Sequence, residues 1–411
     1  LALALPYYFF RMWRRGGYGE DFQHRFGFFP QLPPVASGYR RVWIQAVSVG
    51  EVNAVGPLVQ ALQAEGTFEL VLTTTTSTGY REARRRYSDQ LMQIGIFPLD
   101  FFVFSKIAWS RIAPDAIFLT ESELWPEHLH QAWARNIPAF LINARMSDRS
   151  FRRYQKIIPL SQRLLRKFDG IYPASETDAA HFQALGAKSD RLHNYGSIKV
   201  DVPPPAQLGE TEKAELLRQL GFQDAAGEAP IILLGASTWP GEEKVLCEIT
   251  ARLINKGLNC RLLLVPRHAE RGSEIARLLR EQALAWHQRS TGSAPEGCIT
   301  IYLADTTGEL GRFTQIADIV FIGKSLPPNA GGQSPVDAAG LGRPILLGPR
   351  MDNFRDIARA LVDIGAARRV ADTRELEKQL DELCRDAAQR ATMGDTGKHW
   401  HRANQGSSRR I

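Results

Sequence analysis

Four loops of this chain carry glutamates in settings where a carboxylate can do chemistry. They read Ser48-Val49-Gly50-Glu51, Glu121-Ser122-Glu123-Leu124-Trp125-Pro126, Gly235-Ala236-Ser237-Thr238-Trp239-Pro240-Gly241-Glu242-Glu243 and Asp305-Thr306-Thr307-Gly308-Glu309-Leu310. A carboxylate at a strand exit whose pKa is raised by partial burial can take a proton from a substrate hydroxyl. Glu51, after a small and flexible turn, suits that role; a helix-start glutamate stabilised by the macrodipole is the competing reading. Glu121 and Glu123 are two residues apart, so an extended chain turns both to one face. There they share a proton, bind sugar hydroxyls, or pair with Arg145 and Arg149 of the loop at 143–150.

The second half of the chain offers anion-binding chemistry. Ser237-Thr238, with Gly241-Glu242-Glu243 and a long amphipathic helix behind them, resembles a phosphate cradle at a helix start. An ordinary N-cap uses the same residues. Arg267, in Pro266-Arg267-His268, can clamp a phosphate or carboxylate bidentately, with His268 beside it or a bystander. The stretch from Gly323-Lys324-Ser325-Leu326 to Gly331-Gly332-Gln333-Ser334-Pro335-Val336-Asp337 follows an apolar run. Five glycines between 323 and 342 permit close backbone approach to a ligand, and Asp337 can hold ribose hydroxyls.

The elements that must position these loops alternate. Short apolar runs at 42–44, 70–72, 94–96, 116–119, 139–142 and 171–172 alternate with helical stretches such as 55–63 and 128–135, which predicts a parallel sheet covered on both faces. At Asp201-Val202-Pro203-Pro204-Pro205 the rhythm stops, because consecutive prolines neither continue a helix nor pair in a central strand. It resumes with strands at 231–234, 261–265, 319–322 and 344–347 and helices at 242–256 and 274–282; beyond 372 the chain is helical and charged. The predicted organisation is an N-terminal segment over 1–30, Rossmann-like domains over 31–201 and 202–390, and a C-terminal helix and polar tail over 391–411. Ligands bind at the carboxyl ends of such strands, so two sheet domains facing one cleft are expected.

Composition narrows the partners. The 411 residues are 44% apolar and 23% charged, ordinary for a globular protein. A net charge of +7 and a pI near 9.3 favour an anionic partner. Nucleic acid is the least favoured, since there is neither a basic helix with interleaved aromatics nor zinc spacing. The four cysteines are far apart, which fits a reducing compartment. Residues 1–10 are apolar and followed by Arg11, Arg14 and Arg15, the pattern of a cytoplasmic-side anchor; an ordinary core segment fits equally.

Together these motifs resemble the Kdo transferases, which attach 3-deoxy-D-manno-octulosonic acid (Kdo) to the lipid A precursor in Gram-negative bacteria. The resemblance runs from about residue 19 to 354. It is carried by Ala46-Val47-Ser48-Val49-Gly50-Glu51, residues 73–79, Glu121 to Pro126, Asn143-Ala144-Arg145, Gly196-Ser197-Ile198-Lys199-Val200-Asp201, Ser237-Thr238 with Gly241-Glu242-Glu243, Pro266-Arg267-His268, and Asp305 to Leu310. It implies an α/β GT-B architecture and an inverting transfer from CMP-Kdo, with no bound metal and no cofactor. Glu51 is then the general base and Glu123 helps order the site. Ser48, Gly50, Glu121, Arg145, Arg149 and Lys199 fall on the acceptor side. Ser237, Thr238, Glu242, Arg267, His268, Gly308, Glu309, Lys324, Ser325, Gly332, Gln333 and Asp337 fall on the donor side. The phosphorylated lipid acceptor implies the cytoplasmic face of the inner membrane, with an N-terminal anchor. The chain departs from the family's usual pattern at Glu127, Trp239, Lys324, Gln333, Ser334 and Asp337. A GT-B transferase of another nucleotide sugar, and a non-catalytic nucleotide- or lipid-binding scaffold, are the alternatives.

Overall fold

The computed structural model describes residues 21–222 and 229–411. It divides into two compact units, Leu1–Val202 with Asn404–Ile411, and Pro203–Ala403.

The first unit is built on β1 (Arg40–Gln45), β2 (Phe68–Thr74), β3 (Gln93–Ile96), β4 (Ala116–Thr120), β5 (Ala139–Ala144) and β6 (Gly170–Pro173). They form one parallel sheet in the order β3-β2-β1-β4-β5-β6. Both faces are covered, so the strands read as continuous apolar runs. Alternation still decides which face each side chain enters. Val42 and Ile44 join Leu70 and Leu72 in one core, while Trp43 and Val71 join Trp109 and Leu119 in the other. The chain lays β2 and β3 on one side of β1, then crosses to begin β4 on the other. The carboxyl ends of β1 and β4 therefore diverge, making the switch point where such sheets bind ligands. Glu51 and Glu121 follow those two ends.

The second unit holds β7 (Ile231–Thr238), β8 (Cys260–Pro266), β9 (Trp286–Gln288), β10 (Ile301–Leu303), β11 (Ile319–Ile322), β12 (Ile345–Leu347) and β13 (Ala367–Arg369). Their order is β13-β12-β11-β7-β8-β10-β9, again parallel throughout. Here the switch point lies between β7 and β11. The expected α/β class and doubly wound sheets are found, and every apolar run read as a strand lies in one, except that the run at 344–347 begins one residue early. The sequence reading missed β9, β10 and β13. Each is three residues long, too short for a periodic pattern, and β9 and β13 are edges.

The stretch read as a polar tail carries a one-turn helix, Ser407–Arg410. Asp201 orders it by accepting the N–H groups of Gly406, Ser407 and Ser408. Among the described residues no helix is long and apolar enough to cross a membrane. The anchor expected at residues 1–10 lies outside the described residues.

Candidate active site

Glu51 sits in the first turn of the helix Val49–Ala54, just past β1. Its loop is fixed from two directions. The Val47 carbonyl accepts N–H groups from Thr75 and Thr76 and the Thr76 hydroxyl, at 3.3, 3.0 and 3.0 Å. Gly79 must lack a side chain for this, since a Cβ there would stand 3.2 Å from the same carbonyl. The Glu51 carboxylate accepts three hydrogen bonds: from Val47 N–H at 2.9 Å, the Ser48 hydroxyl at 3.1 Å and the Thr120 hydroxyl at 2.6 Å. Burial and then the charge of Glu121 push its pKa up, against those three bonds. A desolvated carboxylate held in one rotamer at a strand exit is a competent proton acceptor.

Glu121 and Glu123 do not share a face. Glu121 has φ +52°, so the chain turns immediately after β4 and the extended geometry expected for the pair is absent. The Glu121 carboxylate meets Lys199 Nζ at 2.5 Å and Arg145 at 3.8 Å. Burial alone would raise its pKa, but these two cations outweigh it and hold the group below the usual carboxylate range. Glu123 instead accepts the Trp125 indole N–H at 2.6 Å. Burial, aided by the charges of Glu51 and Glu121, pushes its pKa up to about 7. Three carboxylates thus divide into one held ionised and two biased toward the proton, the separation that acid–base sites use. Arg149, expected beside Arg145, is exposed on the helix Asp148–Gln155 and forms no ion pair with Glu121 or Glu123 among the described residues.

The second unit corrects the phosphate-cradle reading. Ser237 and Thr238 belong to the end of β7, not to a helix start; the helix Glu242–Asn255 has Gly241 as its N-cap. Ser237 has φ +55° where the β7–β8 register shifts. Glu242 is 1% exposed. Its carboxylate accepts the N–H groups of Trp239, Lys324, Ser325 and Leu326 at 2.9, 2.8, 2.9 and 3.1 Å. Expected to touch the donor, it fills a backbone nest of its own chain. Ser325 is likewise engaged internally, donating to Ile322 O at 2.5 Å and accepting Gly348 N–H at 2.9 Å. Gly332 is a packing position: a Cβ would lie 2.4 Å from Met351 Sδ.

Arg267, His268, Gln333 and Asp337 keep solvent exposure, whereas Glu309 is engaged within its own unit. Arg267 and His268 are exposed beyond β8, and the Arg267 N–H bonds Thr238 O at 3.1 Å. The His268 ring meets Trp239 edge-on at 5.4 Å. Asp337 lies in the first turn of the short helix Val336–Gly340, and burial raises its pKa. Gln333 is partly exposed in the preceding loop. Glu309 is bound bidentately by Arg289, both contacts 2.6 Å, and also receives the Thr306 hydroxyl. Gly308, at φ +89°, supplies the turn before it. Among the described residues no group of three or more His, Cys, Asp or Glu side chains is arranged to hold a metal.

Sequence reasoning missed Thr120, which bonds Glu51 across 69 residues. The signal was available, since Thr120 ends the strand that flanks the Glu51 loop. It also missed Gln45, which accepts from Thr73 and donates to Thr75, both 2.8 Å, under the same loop.

Two doubly wound parallel sheets, each with polar side chains gathered at its strand exits, define the α/β GT-B class. A UDP-GlcNAc 2-epimerase of Neisseria meningitidis has this fold at TM-score 0.57 and 14% identity, over 88% of this chain and 99% of that one. The family model for 3-deoxy-D-manno-octulosonic-acid transferase (kdotransferase) matches residues 20–202. A 3-deoxy-D-manno-octulosonic acid transferase of Bordetella pertussis is 34% identical over 97% of the chain and 93% of its own length. One of Haemophilus influenzae is 31% identical over 96% and 90%. The chain belongs to the Kdo transferase family and is a glycosyltransferase.

Proposed function

We propose that the protein moves Kdo from CMP-Kdo to a hydroxyl of a phosphorylated lipid A precursor, with inversion and without a metal. Glu51 is the general base. The observation that carries this reading is the Glu51 carboxylate itself: partly buried, raised in pKa, and held by three hydrogen bonds at the switch point of the first sheet. Glu51 removes the acceptor hydroxyl proton as that oxygen bonds to the anomeric carbon of Kdo. The bond from that carbon to the CMP phosphate oxygen breaks, and CMP leaves with the electron pair. Attack from the face opposite CMP inverts the centre. Glu121, kept ionised by Lys199 and Arg145, sustains the field that makes Glu51 a stronger base, and Glu123 orders the loop through Trp125. Arg267 on the second unit supplies positive charge for the single phosphate, and Asp337 suits ribose hydroxyls. The net charge of +7 and the exposed run Phe101, Phe102 and Val103 support work at an anionic membrane surface.

The reading is tested by transfer from CMP-Kdo, generated in place, to a tetraacylated lipid A precursor in EDTA, followed against pH. The base acts as a carboxylate, so kcat/KM climbs as pH rises through the Glu51 pKa and levels off above it. Glu121→Gln removes the charge that raises this pKa and leaves Lys199 and Arg145 nearby. The climb should then move to lower pH. A climb that stays put or moves alkaline would exclude Glu51 as the titrating base, and no product from a folded wild type would exclude this donor–acceptor pair.

A further inference from the structure

Lys324, one of the residues expected on the donor side, is a cation to which the proposed function gives no specific part. Lys324 follows β11 with φ +60°, the left-handed region where glycine fits best and an L side chain is disfavoured. Its ammonium lies 4.4 Å from the centroid of the Trp239 ring. The ring engages one face of the ammonium and leaves N–H donors for another acceptor. Lys324 forms no ion pair with a carboxylate among the described residues.

The surroundings favour an anion met by side chains. The N–H groups of Lys324, Ser325 and Leu326 would otherwise form an anion-binding nest, but all three donate to Glu242. A phosphate at the carboxyl ends of β7 and β11 cannot use them. Thr238 Oγ1 and the Trp239 indole N–H are both buried without a hydrogen-bond partner, and Thr238 is 0% exposed. Buried polar groups are seldom left so unless a ligand or water completes them.

We propose that Lys324, stacked on Trp239, is a further cation, in addition to Arg267, for the phosphate of the nucleotide donor, with Thr238 Oγ1 and the Trp239 N–H as neutral partners. The site is an anion subsite made of side chains in place of the nest that Glu242 closes. Its ligand is a nucleoside monophosphate or the sugar ester of one. This rests on the nucleotide-sugar reading above.

The test is calorimetric binding of CMP and of cytidine to the full chain, as wild type, K324M and K324G. Glycine suits the backbone at this position, so K324G guards against a variant that fails only through folding. Loss of one charge-assisted contact corresponds to about a tenfold weaker CMP affinity in both variants. Cytidine affinity should stay unchanged, since cytidine has no phosphate to lose. CMP affinity unchanged in both variants, with CMP still preferred over cytidine, would overturn the role of Lys324 and leave the donor reading standing. A wild type that binds neither CMP nor cytidine would overturn both.

Discussion

Glu51→Gln is expected to lower transfer by about a thousandfold, within the range that removal of a general base produces. The amide keeps the shape of the carboxylate, and its oxygen can still accept from Thr120 or Val47. It cannot take a proton from the acceptor hydroxyl. Stability should change little. Burial and the neighbouring Glu121 disfavour the ionised form in the folded protein, so a neutral side chain relieves a cost. The linkage has a definite sign. A carboxyl whose pKa is raised by folding loses stability as pH rises through its titration, and Gln removes that loss. CMP affinity, set by the second unit, should remain within about twofold of wild type, less than the tenfold that 1.4 kcal/mol would bring. Single-turnover transfer, CMP calorimetry and thermal melting check the three statements together. A variant that transfers at the wild-type rate would remove Glu51 from the chemistry.

The second large effect concerns stability. Glu242→Ala should cost on the order of 3–5 kcal/mol, since four backbone N–H groups lose their acceptor in a buried site. Glu242→Gln keeps one accepting oxygen and should fall between. Urea denaturation followed by circular dichroism measures both. In the alanine variant CMP binding should weaken too, because the 324–326 loop loses its anchor. An alanine variant as stable as wild type that nevertheless fails to bind CMP would make Glu242 a ligand contact after all.

These two glutamates show what the sequence disclosed and what it did not. Glu51 was legible because its determinants are local: an apolar strand, a small turn, and a carboxylate three residues beyond Ser48. Glu242 looked equally suited to a ligand, yet three of its four partners are 82 to 84 residues away and cannot be read from spacing. Glu121 and Glu123 were seen as a pair, but the left-handed turn at Glu121 depends on tertiary contacts, Arg145 N–H to Glu121 O at 3.1 Å among them. That turn sends the two carboxylates to different partners. Strands of four residues or more, and the three-residue β12, announced themselves by apolar content. The three that were missed, such as β10, are set by their neighbours: Ile301 pairs Leu262 and Trp286. The Lys324–Trp239 stack joins two loops that sequence presents 85 residues apart, and only the β7–β11 pairing brings them together.

The most direct test of the central claim is the anomeric configuration of the product, read by nuclear magnetic resonance on lipid A precursor glycosylated by the wild-type protein from CMP-Kdo in EDTA. The account predicts a Kdo-bearing product whose anomeric centre is opposite to that of the donor. Kdo joined with the donor's own configuration, or no product from a folded protein that binds CMP, would contradict it.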